Sequence, residues 1–186
     1  MNIDVDSKKY ADFRILTNKL GIMCDGEAHI LSAHLINNVD LIEFTLKWDK
    51  LTYKHPELFD QFKGINADKV LEDTQTFEVN LRNALLELDL HIRFMQVPKS
   101  IDEIKKDLVE KGGVANLTVK IMDNPPSGHV VTIWESKEAL FIHDPNIPEV
   151  LSLNEEQIKE LFNSSLMLTK NYFLSYDKAF PIERIY

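Results

Sequence analysis

Residues 127–146, SGHVVTIWESKEALFIHDPN, hold two β-forming runs, His129–Glu135 and Ala139–His143, separated by a short polar link. So short a link closes an antiparallel hairpin, because a parallel return needs a crossover of about a dozen residues or more. A loop of two or four residues centred between Lys137 and Glu138 makes paired residue numbers sum to 275. Asp144 then stands opposite Val131 and is the diagonal neighbour of His129 on the same face. A loop of three or five residues reverses the parity and turns Asp144 away. In the first register the carboxylate reaches the imidazole, fixes its tautomer and leaves the other ring nitrogen as a base. Gly128 leaves room beside the ring for a ligand's backbone or a nucleophile. In the second, His129 merely begins a strand near the surface and Asp144-Pro145 is a turn former.

Around this hairpin the chain divides in two. Tyr10, Phe13, Leu16 and Leu20 are spaced as on a helix over residues 8–20, and Ala28, Leu31, Leu35 and Ile36 mark a second helix over 25–38. Region 39–72, with Pro56 and clustered aromatics, reads as short helices over the core. A further helix over 73–90 runs through Phe77, Leu81, Leu85 and Leu88. His91–Val97 then alternates as a strand does. Ser100 with Glu103 forms a capping box opening a helix that ends at Gly112-Gly113. Val114–Met122 precedes the hairpin as another strand, Ser152 with Glu155 suggests a second capping box, and 166–176 is a closing strand. The expected fold class is therefore α+β, one domain over 1–186, with a helical part to about residue 90 packed against a C-terminal antiparallel sheet.

Length and composition agree with one domain: 186 residues, 44% hydrophobic and 27% charged, sit in the globular range. A net charge of −9 opposes nonspecific attraction to nucleic acid or anionic lipid, so neither is an expected partner. No secretory signal and no run of about 18 apolar residues is visible, which points to a cytoplasmic protein, with signal-independent export left open. Oligomeric state is not legible.

The single cysteine, Cys24, rules out an intramolecular disulfide and a multi-cysteine zinc site. It is either a buried small hydrophobe or a nucleophile. Its place at a helix start favours the thiolate through the helix dipole, whereas the neighbouring Asp25 disfavours it. His129 is the base that would complete a pair. Asn18, six residues earlier, and the Cys24 amide are candidate oxyanion donors; otherwise Asn18 is an exposed or capping residue. His29 and His34, five apart, do not share a helix face, and no Gly-rich phosphate loop occurs, so no metal or organic cofactor is implied. His143 is expected on the outer face of its strand, and Trp48, Trp134 and Phe141 in the core or lining a cleft.

A cysteine opening an early helix, then Gly-His at the start of a hairpin and Asp-Pro about fifteen residues later, resembles papain-like cysteine peptidases. The likeness is nearest to the bacteriocin-leader-processing peptidases and their stand-alone relatives. It is good over residues 92–150, fair over 13–36 and absent over 39–90. It implies Cys24 as nucleophile, His129 as general base and Asp144 as its orienter, with Asn18 where the family places its oxyanion glutamine. The implied activity is cleavage of a peptide or amide bond in a peptide or protein substrate, through an acyl-enzyme. Acyl or amide transfer would use the same residues. This chain departs from the pattern with Asp25-Gly26 after the cysteine and with Asn for Gln at 18, which keeps open a catalytically inactive domain that binds a peptide or partner protein.

Overall fold

The structure, a computed structural model, describes residues 6–60, 63–95, 100, 102–103, 106, 108, 113–121, 127–136 and 139–173. Five helices come first: α1 (Ser7–Leu20), α2 (Cys24–Asn37), α3 (Leu41–Lys54), α4 (Ala67–Glu72) and α5 (Thr74–Leu85), the last running into a 3-10 turn, Leu86–Leu88. Strands β1 (Leu90–Met95), β2 (Val114–Ile121), β3 (Ser127–Ser136), β4 (Ala139–His143) and β5 (Leu151–Leu153) follow, then α6 (Glu155–Asn163) and β6 (Ser165–Phe173). The six strands form one antiparallel sheet in the order β1-β6-β2-β3-β4-β5. The fold is α+β, helices first and sheet second, as the alternation of patterns led us to expect.

The ends of these elements follow from local chemistry. Asp6 caps α1 by accepting the amides of Lys8 and Lys9, and Gly21 ends it at φ 68°, a conformation glycine adopts without penalty. Asp40 caps α3 in the same way. Region 39–72 thus holds the expected short helix in α4 but also a full 14-residue helix, α3, its inner face built by Leu41, Phe44, Trp48 and Leu51. Glu103 donates its amide to Ser100 Oγ at 3.2 Å, so the first expected cap is present, and residues 102, 103, 106 and 108 are helical. The second is corrected: Ser152 lies in β5, and the capping box is Asn154 with Gln157. Met122, Gln96, Val97 and Gly112 of the expected elements, and 174–176 of the closing strand, lie outside the described residues.

Two apolar clusters flank the sheet. One joins α1 to α5 with Leu90, Ile92, Val114 and Trp134; the other joins Leu117, Val131, Ile133 and Ile142 with Leu108 and with Ile158 and Phe162 of α6. Helix α2 runs through the middle, packed on β2, β3, β6 and α3. Gly26 to Ala33 are all buried, so α2 is enclosed on every side and not only on the face its leucines marked. A buried polar tie fixes it there. Asn116 Oδ1 on β2 accepts from Ser32 Oγ of α2 at 2.8 Å and from Thr132 Oγ1 of β3 at 2.9 Å. Among the described residues no helix is long and apolar enough to cross a membrane.

Candidate active site

The β3–β4 pairing runs Thr132↔His143, Ile133↔Ile142, Trp134↔Phe141, Glu135↔Leu140 and Ser136↔Ala139, the register in which partner numbers sum to 275. Asp144, one residue past β4, turns back on His129. Its Oδ1 lies 2.6 Å from His129 Nε2, and the ring is 11% exposed. Asn146, which no motif or spacing singles out, supports the same corner: its amide donates to Asp144 Oδ1 at 2.8 Å, and its side-chain nitrogen lies 3.3 Å from His129 Nε2. Both contacts of the imidazole are at Nε2, so Nδ1 is the nitrogen left to act as a base.

Cys24 is the first residue of α2, half-buried, and the Val130 amide, next in sequence to His129, favours its thiolate. That contact brings the sulphur to the strand that carries the imidazole. The thiol is nonetheless pushed up to about 11, first by burial and then by the Asp25 carboxylate. The helix start does not lower it, as its position suggested, because burial outweighs the dipole. Asn18 is exposed in the last turn of α1, where its carbonyl accepts the Gly21 amide.

Asp25-Gly26, one of the two departures from the peptidase pattern, has a structural reason. The turn 63–65 lies directly against the start of α2. Asp25 accepts the Ile65 amide through Oδ2 and the Gly26 amide through Oδ1 at 2.9 Å. A Cβ on Gly26 would stand 2.9 Å from the Lys63 carbonyl and 2.7 Å from Ile22 Cγ2, and one on Gly64 would stand 2.0 Å from Asp25 Oδ1. Only glycine fits either place. Burial, with Asp60 acting in the same direction, pushes the Asp25 carboxyl up to about 7.

Two effects of Asp25 follow. Above pH 7 the carboxylate opposes the thiolate, so Asp25→Asn is expected to speed iodoacetamide alkylation of Cys24 at pH 8–9 by about tenfold, on the order of one pKa unit. The gain fades below pH 7, where the native residue is itself neutral. Because the folded pKa exceeds the ordinary value of 3.8, the native state keeps a proton that the unfolded chain has lost. Asp25 therefore contributes stability that is full below about pH 4 and lost as pH rises through about 7. Urea unfolding of native protein and Asp25→Asn, compared at pH 4 and pH 8, reads this difference directly.

The remaining sequence candidates are structural. His29 stacks on Trp48 with ring centroids 5.5 Å apart, and His34 Nδ1 lies 2.7 Å from the Val39 carbonyl. His143 is not on an outer face: it is fully buried against Tyr10 and Phe13 of α1, because the helical layer covers that side of the sheet. Trp48 and Trp134 are core residues, and Phe141 packs against the same cluster. Among the described residues no group of three His, Cys, Asp or Glu side chains could hold a metal ion.

The α+β scaffold thus carries a thiol at the start of α2 and an imidazole–carboxylate pair on the β3–β4 hairpin. No family model matches the chain, and no curated protein is significantly similar to it in sequence. The crystal structure of the Pseudomonas avirulence protein AvrPphB is similar, with 11% identity, 83% of this chain and 90% of that chain covered, and a TM-score of 0.39. A likeness at that level leaves the site to be read from its own residues, and it leaves the nearer resemblance to leader-processing peptidases without support.

Proposed function

We propose that the chain is a papain-like thiol hydrolase that cleaves a peptide or amide bond with Cys24, His129 and Asp144. The observation that carries the reading is the 2.6 Å contact of Asp144 with His129 Nε2, which frees Nδ1 on the strand whose next amide meets the Cys24 sulphur. Sγ attacks the carbonyl carbon as His129 takes the thiol proton, and the Cys24 amide with the Asn18 side chain receives the oxyanion. The same proton passes to the leaving amine as the C–N bond breaks. Water, deprotonated by His129, then displaces the thiolate from the acyl-enzyme and restores the thiol; an amine in place of water gives transfer. Since the thiol is raised to about 11, proton removal accompanies attack and is not completed beforehand.

The test uses the single cysteine. Native protein with p-nitrophenyl acetate should release a burst of one equivalent of p-nitrophenolate, absent from Cys24→Ala, and a peptide library should gain new termini only with the native chain. Asn18→Ala is expected to slow the burst by about 10²–10³-fold if it removes one oxyanion donor. The reading is abandoned if native protein and Cys24→Ala behave alike in both assays. A second reading, an inactive papain-like domain holding a peptide or partner protein, is favoured by the carboxylate set beside the thiol. It requires that both proteins bind the same peptide and neither cut it.

A further inference from the structure

One turn after Cys24, α2 buries a carboxylate that the reaction above does not use. Glu27 is 2% exposed. Its Oε1 accepts from Thr17 Oγ1, and its Oε2 pairs with Arg14, which also donates through its other terminal nitrogen to the Pro145 carbonyl. On the other side of Asp144, His143 places Nε2 3.5 Å from the same Glu27 Oε2, while its Nδ1 lies 2.5 Å from the Tyr10 hydroxyl. Pro145, on one side of Asp144, is therefore tied through Arg14 to Glu27 on the helix that begins with Cys24, while the buried His143 Nε2 on the other side lies near Glu27 without a hydrogen-bond partner. Backbone amides hold Asp144 only within its own turn, where Ile147 N donates to its carbonyl at 2.8 Å. Asp144 lies past the last β3–β4 pair, Thr132↔His143, and Pro145 lacks an amide to donate.

The geometry points to Arg14 and Glu27 as positioning residues: their pair holds the 143–145 segment so that Asp144, and through it the His129 ring, is fixed relative to Cys24. This rests on the hydrolase reading. Arg14 suits the task because its planar fork reaches a carboxylate and a carbonyl together, whereas a lysine offers a single point of contact. The pair itself touches neither substrate nor reacting atoms.

The test takes Arg14→Gln and Arg14→Lys in the full chain, with two readouts: the p-nitrophenyl acetate burst rate, and the His129 tautomer from ring-nitrogen NMR at high pH. Native protein should hold the proton on Nε2, facing Asp144. Arg14→Lys keeps a cation opposite Glu27, so it stays folded even where Arg14→Gln does not. Both variants that fold should populate the other tautomer and lose roughly a hundredfold in burst rate, the scale of an ångström-sized misplacement. Retention of the Nε2 tautomer with a burst rate within twofold of native in either folded variant overturns the proposal. Absence of any burst from the native protein overturns the hydrolase reading instead, and the tautomer then still reports whether Arg14 orders the ring.

Discussion

His129→Ala is expected to slow acylation of Cys24 by p-nitrophenyl acetate by about 10²–10⁴-fold at pH 7, the span associated with a general base. With the thiol at about 11, roughly one molecule in 10⁴ carries thiolate at that pH. The native protein therefore depends on proton removal during attack. Without the imidazole the rate should climb tenfold per pH unit toward pH 11, as thiolate alone becomes the reagent, and the native and variant curves should converge there. Asp144→Asn keeps a hydrogen-bonding group at Nε2 but permits the wrong tautomer, so its loss should be smaller at high pH than at neutral pH. Burst rates between pH 6 and 11 for the three proteins decide this. Parallel curves throughout would show that His129 does not act on the thiol.

Trp48→Ala should destabilise the fold by about 3–5 kcal/mol, the range for truncating a buried aromatic. Trp48 is fully buried at the centre of the helical layer, stacked on His29 of α2 and edge-on to Phe59 at 5.5 Å each. Its Nε1 donates to the Lys63 carbonyl at 3.2 Å. The indole thus supports from below the same turn that Asp25 grips at the start of α2. Its loss opens a cavity under the start of α2 and leaves that carbonyl without its donor. Urea unfolding measures the first effect. The second should appear as faster alkylation of Cys24, because a loosened turn exposes the sulphur. Trp48→Phe, which keeps most of the volume, should recover a large part of the stability and none of the hydrogen bond.

What the sequence disclosed and what it hid separate along physical lines. The hairpin was legible but its register was not: the link allowed two parities, and the pairing Ser136↔Ala139 selects the one that turns Asp144 toward His129. Helix α3 was legible in principle, with Asp40 as its cap and Leu41, Phe44, Trp48 and Leu51 at helical spacing. Pro56 and the dense aromatics drew attention to breaks that lie past its end. His143 was misread because alternation says which side of a strand a residue takes, not whether a second layer covers that side. For Cys24 both causes of its raised pKa, burial and Asp25, were among the alternatives, but which would win against the helix dipole was not, since burial is a tertiary property. Asn146 and the Arg14–Glu27 pair carry no local signature; Arg14 and Pro145 are 131 positions apart, and only the folded chain joins them.

The strand order carries a consequence for synthesis. β6, the last strand among the described residues, lies between β1 and β2, and α2 rests partly on it. While the ribosome still holds residues 165–173, β1 has no neighbour in the sheet, and β2 and α2 lack one of their supports. Cys24 emerges early, but the platform that seats it is completed only when nearly all the described chain has emerged. A nascent chain stalled before residue 165 should therefore leave the thiol open to alkylation and without a partnered imidazole, so any cleavage would await release of the whole sheet.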